Sequence, residues 1–137
     1  MHTVGTFAPT SAAEAREQYT DVGPAAQTVV REVAKAMEFD REEYDDRVSG
    51  EVVETARDAL FASLLEVHVG TREEFAAWRD GYDGTVSVVG HENVDNVVWH
   101  AGPEDEAVAA TFQNEEEAAI ATLRRQAFGR LYRELIQ

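Results

Sequence analysis

The chain has 137 residues and a mass of 15.2 kDa, enough for one domain with a sizeable apolar core and no covalent staples. It contains no cysteine, which excludes disulfides, thiolate metal ligands and cysteine nucleophiles together. Asp and Glu total 27 against 12 Lys and Arg, a formal charge of -15, so a polyanionic partner would meet repulsion.

Among the cations Lys35 is the one lysine. The acids are spread through well-patterned segments, which argues against a disordered acidic tail. The composition resembles that of proteins from an extreme halophile's cytoplasm, where salt screens like-charge repulsion and cations crowd an acidic surface. The amino-terminal MHTVGTFAP has no basic region followed by an apolar run, so no signal peptide is expected. No apolar segment approaches the roughly 18 residues of a membrane span. A soluble, cytoplasmic protein without a membrane partner is the expectation.

In chain order, residues 1 to 10 read as an extended lead-in through Val4 and Phe7. Ser11 followed by Glu14 predicts a capped helix over 12–20. A turn at Asp21–Gly23 places Pro24 at the first position of a second helix, which runs to about Glu38. Ala26, Val29, Val30, Val33 and Met37 form its expected buried stripe. Asp40 and Glu43 repeat the capping signature for a third helix that turns Tyr44 and Val48 inward. Ser49-Gly50 reads as a break or kink. The helix that follows carries Val52, Ala56, Ala59, Leu60 and Leu64. Leu65, Val67 and Val69 alternate with polar residues, so 65–69 fits either the helix end or a short strand. Thr71 with Glu74 caps a short helix through Phe75 and Trp78, stopped by Gly81.

From Asp80 to Leu123 there is no Lys or Arg. Thr85–Val89 is β-prone, and Val97–His100 with Ala107–Phe112 predicts two antiparallel strands joined through GPEDE. Residues 114–137 then read as one long amphipathic helix, with Asn114 as N-cap and Glu117 completing a capping box. Ile120, Leu123, Ala127, Phe128, Leu131 and Leu135 make its apolar stripe. The predicted class is α+β in a single domain over 1–137: mostly helical, with a small antiparallel sheet or hairpin and a long amphipathic C-terminal helix.

The segments GTFAP, GPAAQTVVREVAKAM, FDREEYDD and ATFQNEEEAAIATLRRQAFGRLYREL resemble a small uncharacterised protein family of haloarchaea. They total 54 of the chain's 137 residues. The resemblance implies a halophilic cytoplasm and carries no substrate, cofactor or catalytic residue with it.

Four residues have metal-ligand chemistry within one stretch: His91, Glu92, Asp95 and His100. Zinc takes three or four such ligands, but the spacing matches no zinc frame, and HENVD lacks the second histidine of HExxH. A polar surface loop is the plainer reading, and no stoichiometric metal is expected. If all four were ligands, no general base would remain. His68 would lie opposite Val67 and Val69 on a strand and reads as a hydrogen-bonded structural histidine. Gly81, Gly84 and Gly90 assemble no nucleotide loop, and no serine sits in GxSxG. Trp78, Tyr82 and Trp99 fit a satellite core between the short helix and the sheet.

Arg124, Arg125, Arg130 and Arg133 favour the negative end of the last helix's dipole. Arg125, Arg130, Tyr132 and Arg133 are the candidate interface residues, for packing or self-association. The sequence reading is therefore a non-enzymatic, halophilic protein that works through protein contacts as a homodimer, with no cofactor. The alternatives are a small metal-dependent enzyme using the His91/Glu92/Asp95/His100 region and a nucleic-acid-associated factor using the C-terminal arginines. The net charge disfavours nucleic acid.

Overall fold

Four helix starts follow from polar side chains that accept a hydrogen bond from the backbone three residues on. In the computed structural model, which describes residues 1–91 and 93–136, Ser11 Oγ accepts from Glu14 N, Asp40 Oδ1 from Glu43 N, Ser49 Oγ from Val52 N and Thr71 Oγ1 from Glu74 N. Each satisfies one of the orphan donors of a first helical turn. At Thr71 the Glu74 side chain also accepts from the Thr71 backbone, which closes a capping box. The resulting helices are α1 (Ala12–Asp21), α3 (Arg41–Arg47), α4 (Gly50–Ser63) and α5 (Arg72–Asp80), with α2 (Gly23–Ala36) entered through Pro24. Ser49-Gly50, expected as a break or kink, does separate α3 from α4, with Ser49 as the N-cap of α4.

The predicted small sheet or hairpin is overturned. Five strands, β1 (His2–Val4), β2 (Val67–Thr71), β3 (Thr85–Val89), β4 (Asn96–Ala101) and β5 (Glu106–Phe112), form one sheet in the order β1-β2-β4-β5-β3. The sheet is mixed: β3 runs parallel to β5, and the other neighbours are antiparallel. Hairpin β4–β5 is the predicted part, with Glu104 and Asp105 at φ 62° and 55° closing the turn. The parallel neighbour is what a hairpin reading misses, because β3 reaches β5 only after β4 has been passed over. Residues 67–71 are a strand, and the alternatives left open at 65–69 resolve accordingly.

Register assigns the two faces. His68, Trp99 and Ala109 stand opposite one another, as do Val69, Val98 and Ala110, so alternate residues point to opposite sides. One side carries Val67, Val69, Val98 and Val108 under α1, α4 and the last helix, with Phe61 at the centre of the cluster. Rings of Phe7, Tyr19, Phe128 and Tyr132 surround Phe61 at 5.5, 5.7, 6.0 and 5.3 Å. The other side carries Val97, Trp99 and Ala109 under Phe75 and Trp78 of α5. Both faces are thus covered around β4, and Val97, Val98, Trp99 and His100 are all buried.

The single C-terminal helix over 114–137 is also corrected. Helix α6 spans Glu116–Ala127 and has no side-chain cap. Strand β5 continues to Phe112, paired with Asn96, so the residues after it are spent turning the chain from the end of this strand onto the sheet face. Beyond Ala127 the backbone widens into a π-helical turn, Phe128–Tyr132, with Arg133 N–H donating to the Phe128 carbonyl at 3.0 Å. That wider turn brings Phe128, Leu131 and Tyr132 inward together.

Candidate functional site

Of the four residues with metal-ligand chemistry, the three described ones, His91, Asp95 and His100, do not gather into a site. His100 points into the helix-covered face and is 1% exposed. Its Nδ1 lies 2.6 Å from the Glu66 carbonyl oxygen and its Nε2 2.5 Å from the Tyr132 hydroxyl. A carbonyl only accepts, so Nδ1 carries the proton and donates, and Nε2 accepts from the Tyr132 O–H. Both ring nitrogens are therefore engaged within the fold. His91 and Asp95 are exposed on the loop after β3, where the Asp95 carbonyl accepts from Arg72 N at 2.8 Å. Glu92 lies outside the described residues. Among the described residues no three metal-ligand side chains gather.

Burial sets the titration of the inner pair. It lowers the His100 pKa to about 4; the Glu66 carbonyl opposes the shift, and His68 and Arg124 add to it. Burial raises the Tyr132 hydroxyl well above its ordinary value. The arrangement is a neutral, fully bonded pair with no opening to a substrate, which suits a structural role.

His68 sits on the other face, stacked on Trp99 at 5.5 Å between ring centres and near Trp78 at 6.4 Å. Burial lowers its pKa, partly opposed by Glu66, whose carboxylate lies 3.6 Å from His68 Nε2. Trp78 and Tyr82 stack at 4.7 Å, and Trp78 meets Trp99 at 5.7 Å. These aromatics form the satellite core between α5 and the sheet.

The candidate interface residues separate by burial. Arg125, Arg130 and Arg133 are exposed, whereas Tyr132 is fully buried against His100 and Phe61. Arg133 lies over the Phe128 ring at 5.5 Å. Arg124 is a tie within the fold: its Nε donates to the Leu65 carbonyl at 3.0 Å and its Nη2 to that of Val4 at 3.2 Å. A second tie joins α1 to α4. Tyr19 Oη donates to Asp58 at 2.6 Å, and Arg57 donates to the Tyr19 and Thr20 carbonyls while lying 4.4 Å above the Tyr19 ring.

The surface feature that sequence reasoning missed is on α2. Its inward row is Ala26, Val30 and Ala34, packed towards α4. Val29, Val33 and Met37, expected inside, stand outward at 49%, 52% and 58% exposure. Their i, i+4, i+8 spacing aligns them as one row along the helix. Arg31 and Lys35 against Glu32 make α2 net cationic, in a chain that is otherwise strongly anionic. The signal was present as an apolar stripe too broad for one contact.

An α+β domain with a helix-sandwiched mixed sheet and an exposed apolar helix row is the class that fold and surface define. A model of a family of unknown function, DUF5809, matches residues 6–133, and the chain belongs to that family. No curated protein matches the chain, and no solved structure matches it.

Proposed function

We propose that this chain is a non-enzymatic, salt-adapted cytoplasmic protein that works through protein contacts, and that a second copy of itself occupies the outward row of α2. The row Val29, Val33 and Met37 carries the reading. Singly exposed apolar residues are ordinary, but three aligned on one helix leave a continuous apolar strip in water. Charge selects the occupant. Two chains of net charge -15 repel, and the repulsion is least where they meet through the cationic α2. A two-fold axis near Val33 would set Val29 of one copy against Met37 of the other, the self-complementary contact that a closed dimer requires. Of the residues expected at an interface, Tyr132 is buried in the core, while Arg125, Arg130 and Arg133 remain exposed.

Salt adaptation is supported by where the acids lie. His100 is the buried polar residue among those described, so every described Asp and Glu keeps solvent contact. The ion pairs among the described residues involve the α-amine, His2 and His68, and none joins an arginine to a carboxylate. The surface acids are therefore left to cations from the solvent.

The test is sedimentation in about 2 M KCl, where exposed charges are well screened. Wild type should show a concentration-dependent rise to twice the chain mass. The double variant Val33→Glu/Met37→Glu should stay at one chain mass with an unchanged melting temperature. A wild type that remains one chain throughout, or a variant that still doubles, removes the proposal.

A further inference from the structure

Helix α5 covers the β2 and β4 part of its sheet face and leaves a cleft of about 370 Å³ beside it. The floor comes from Val97, Thr111 and Val88, one residue from each of three adjacent strands. Arg72, Phe75 and Arg79 line the α5 side. Their i, i+3, i+7 spacing puts all three on one stripe of the helix, with the aromatic ring between two guanidinium groups. Gly90 and His91 form the rim. In a chain with 27 acids and 12 Lys and Arg, the described lining holds two arginines and a histidine and no carboxylate.

The rim and the first arginine are held in place. Arg72 Nη2 donates to the carbonyls of His91 and Val94 at 3.4 and 3.2 Å, which engages one of its three side-chain nitrogens. His91 N–H donates to Thr111 Oγ1 at 3.0 Å. Gly90 has φ +124°, and a Cβ there would collide with Thr111 Oγ1, so glycine lets the rim lie against β5. Arg79 is exposed and leans over the Phe75 ring at 6.0 Å.

We propose that this cleft binds a small organic oxyanion, a single carboxylate or phosphate ester carried on a compact apolar body. The guanidinium fork of Arg79 matches a planar carboxylate or a phosphate face, and Arg72, oriented by the two backbone bonds of its Nη2, adds single N–H donors from Nε and Nη1. Val88, exposed on the floor, offers the apolar body a place out of water, backed by the buried Phe75 and Val97. A bare inorganic anion would use the arginines and leave that apolar surface wet. The site shares no residue with the α2 row, so the two proposals stand or fall separately.

The experiment is fluorine NMR of 4-fluorobenzoate and of 4-fluorophenyl phosphate, each titrated with the protein in about 1 M KCl. 4-Fluorobenzyl alcohol is the neutral control, and acetate and inorganic phosphate are competitors. At least one fluorinated anion should bind saturably, and the tighter of the two identifies the head group. Arg79→Gln removes the fork without touching a backbone tie and should weaken binding about tenfold or more, equivalent to about 1.4 kcal/mol. Val88→Phe fills the floor while keeping every charge and should weaken it as well. Unchanged melting temperatures show that both variants are folded. Four results would each overturn the assignment: no saturable anion binding, equal binding of the alcohol, acetate or inorganic phosphate binding as tightly as its aryl counterpart, and full binding by Arg79→Gln.

Discussion

A histidine with both ring nitrogens engaged, one by the Glu66 carbonyl and the other by the Tyr132 hydroxyl, has its protonation fixed by its neighbours. Burial opposes a second proton, which would also force the Tyr132 hydroxyl to turn from donor to acceptor. His100 therefore titrates near 4 in the folded chain and near 6.5 when unfolded. Between those values the unfolded chain binds more protons. Stability is thus fully present above about pH 6.5, declines as pH falls towards 4, and levels below it. From pH 7 to 5 the loss should be about 2 kcal/mol, read by urea denaturation in high salt. His68, also lowered, adds a part of the same sign. His100→Gln should flatten the slope to that remainder, and a variant that keeps the full slope would assign the titration elsewhere. Tyr132→Phe leaves the buried Nε2 unpaired and should cost about 1–3 kcal/mol at pH 7. None of this pairing could be read from HENVDNVVWH. The partners lie 34 residues before and 32 after His100, and a histidine at a strand end looks the same in sequence whether it faces metal or tyrosine.

Elements closed by near neighbours were legible, and those completed by distant ones were not. Ser11, Asp40 and Thr71 announce helices because cap and recipient are three residues apart. Hairpin β4–β5 declares itself for the same reason. Strands β1 and β2 have partners far along the chain, and β3 carries no mark of a parallel neighbour. On α2 the apolar pattern runs around more than half of the helix, so periodicity alone could not choose the inward row. Packing chose the row with two alanines, which lets α2 lie close to α4. The same distinction marks Gly5, which joins β1 to the body of the fold. Its φ is +110°, and a Cβ would collide with the Leu65 carbonyl oxygen and lie 2.8 Å from Arg124 Nη2. Gly5→Ala should therefore cost about 2 kcal/mol or more, from backbone strain and the loosened Arg124 tie together. A melting temperature equal to wild type would show that the lead-in is not docked in this way.

At the scale of the whole molecule the governing quantity is unscreened charge. Fifteen excess negative charges lie on a surface whose described arginines form no carboxylate pairs. The melting temperature should rise strongly between about 0.1 and 2 M KCl. Most of the electrostatic part should be complete by about 1 M, where the Debye length is roughly 3 Å. Any later gain reflects salting-out of apolar surface or cation binding. A flat or falling profile would sink the halophilic reading. The charge balance itself was the most legible feature of all, since composition needs no knowledge of contacts.

The position of β1 has a kinetic consequence. Four helices separate it from β2, the strand it pairs with, whereas β4, β5 and α6 follow one another directly and pack together. Closing the short loops of the C-terminal half costs little chain entropy, and bringing the first residues back to β2 costs more. The hairpin with α6 should assemble first and β1 should dock onto an already formed edge. The destabilisation from Gly5→Ala is then expected in a faster unfolding rate with refolding unchanged. A slowed refolding limb would instead place the amino-terminal strand within the nucleus.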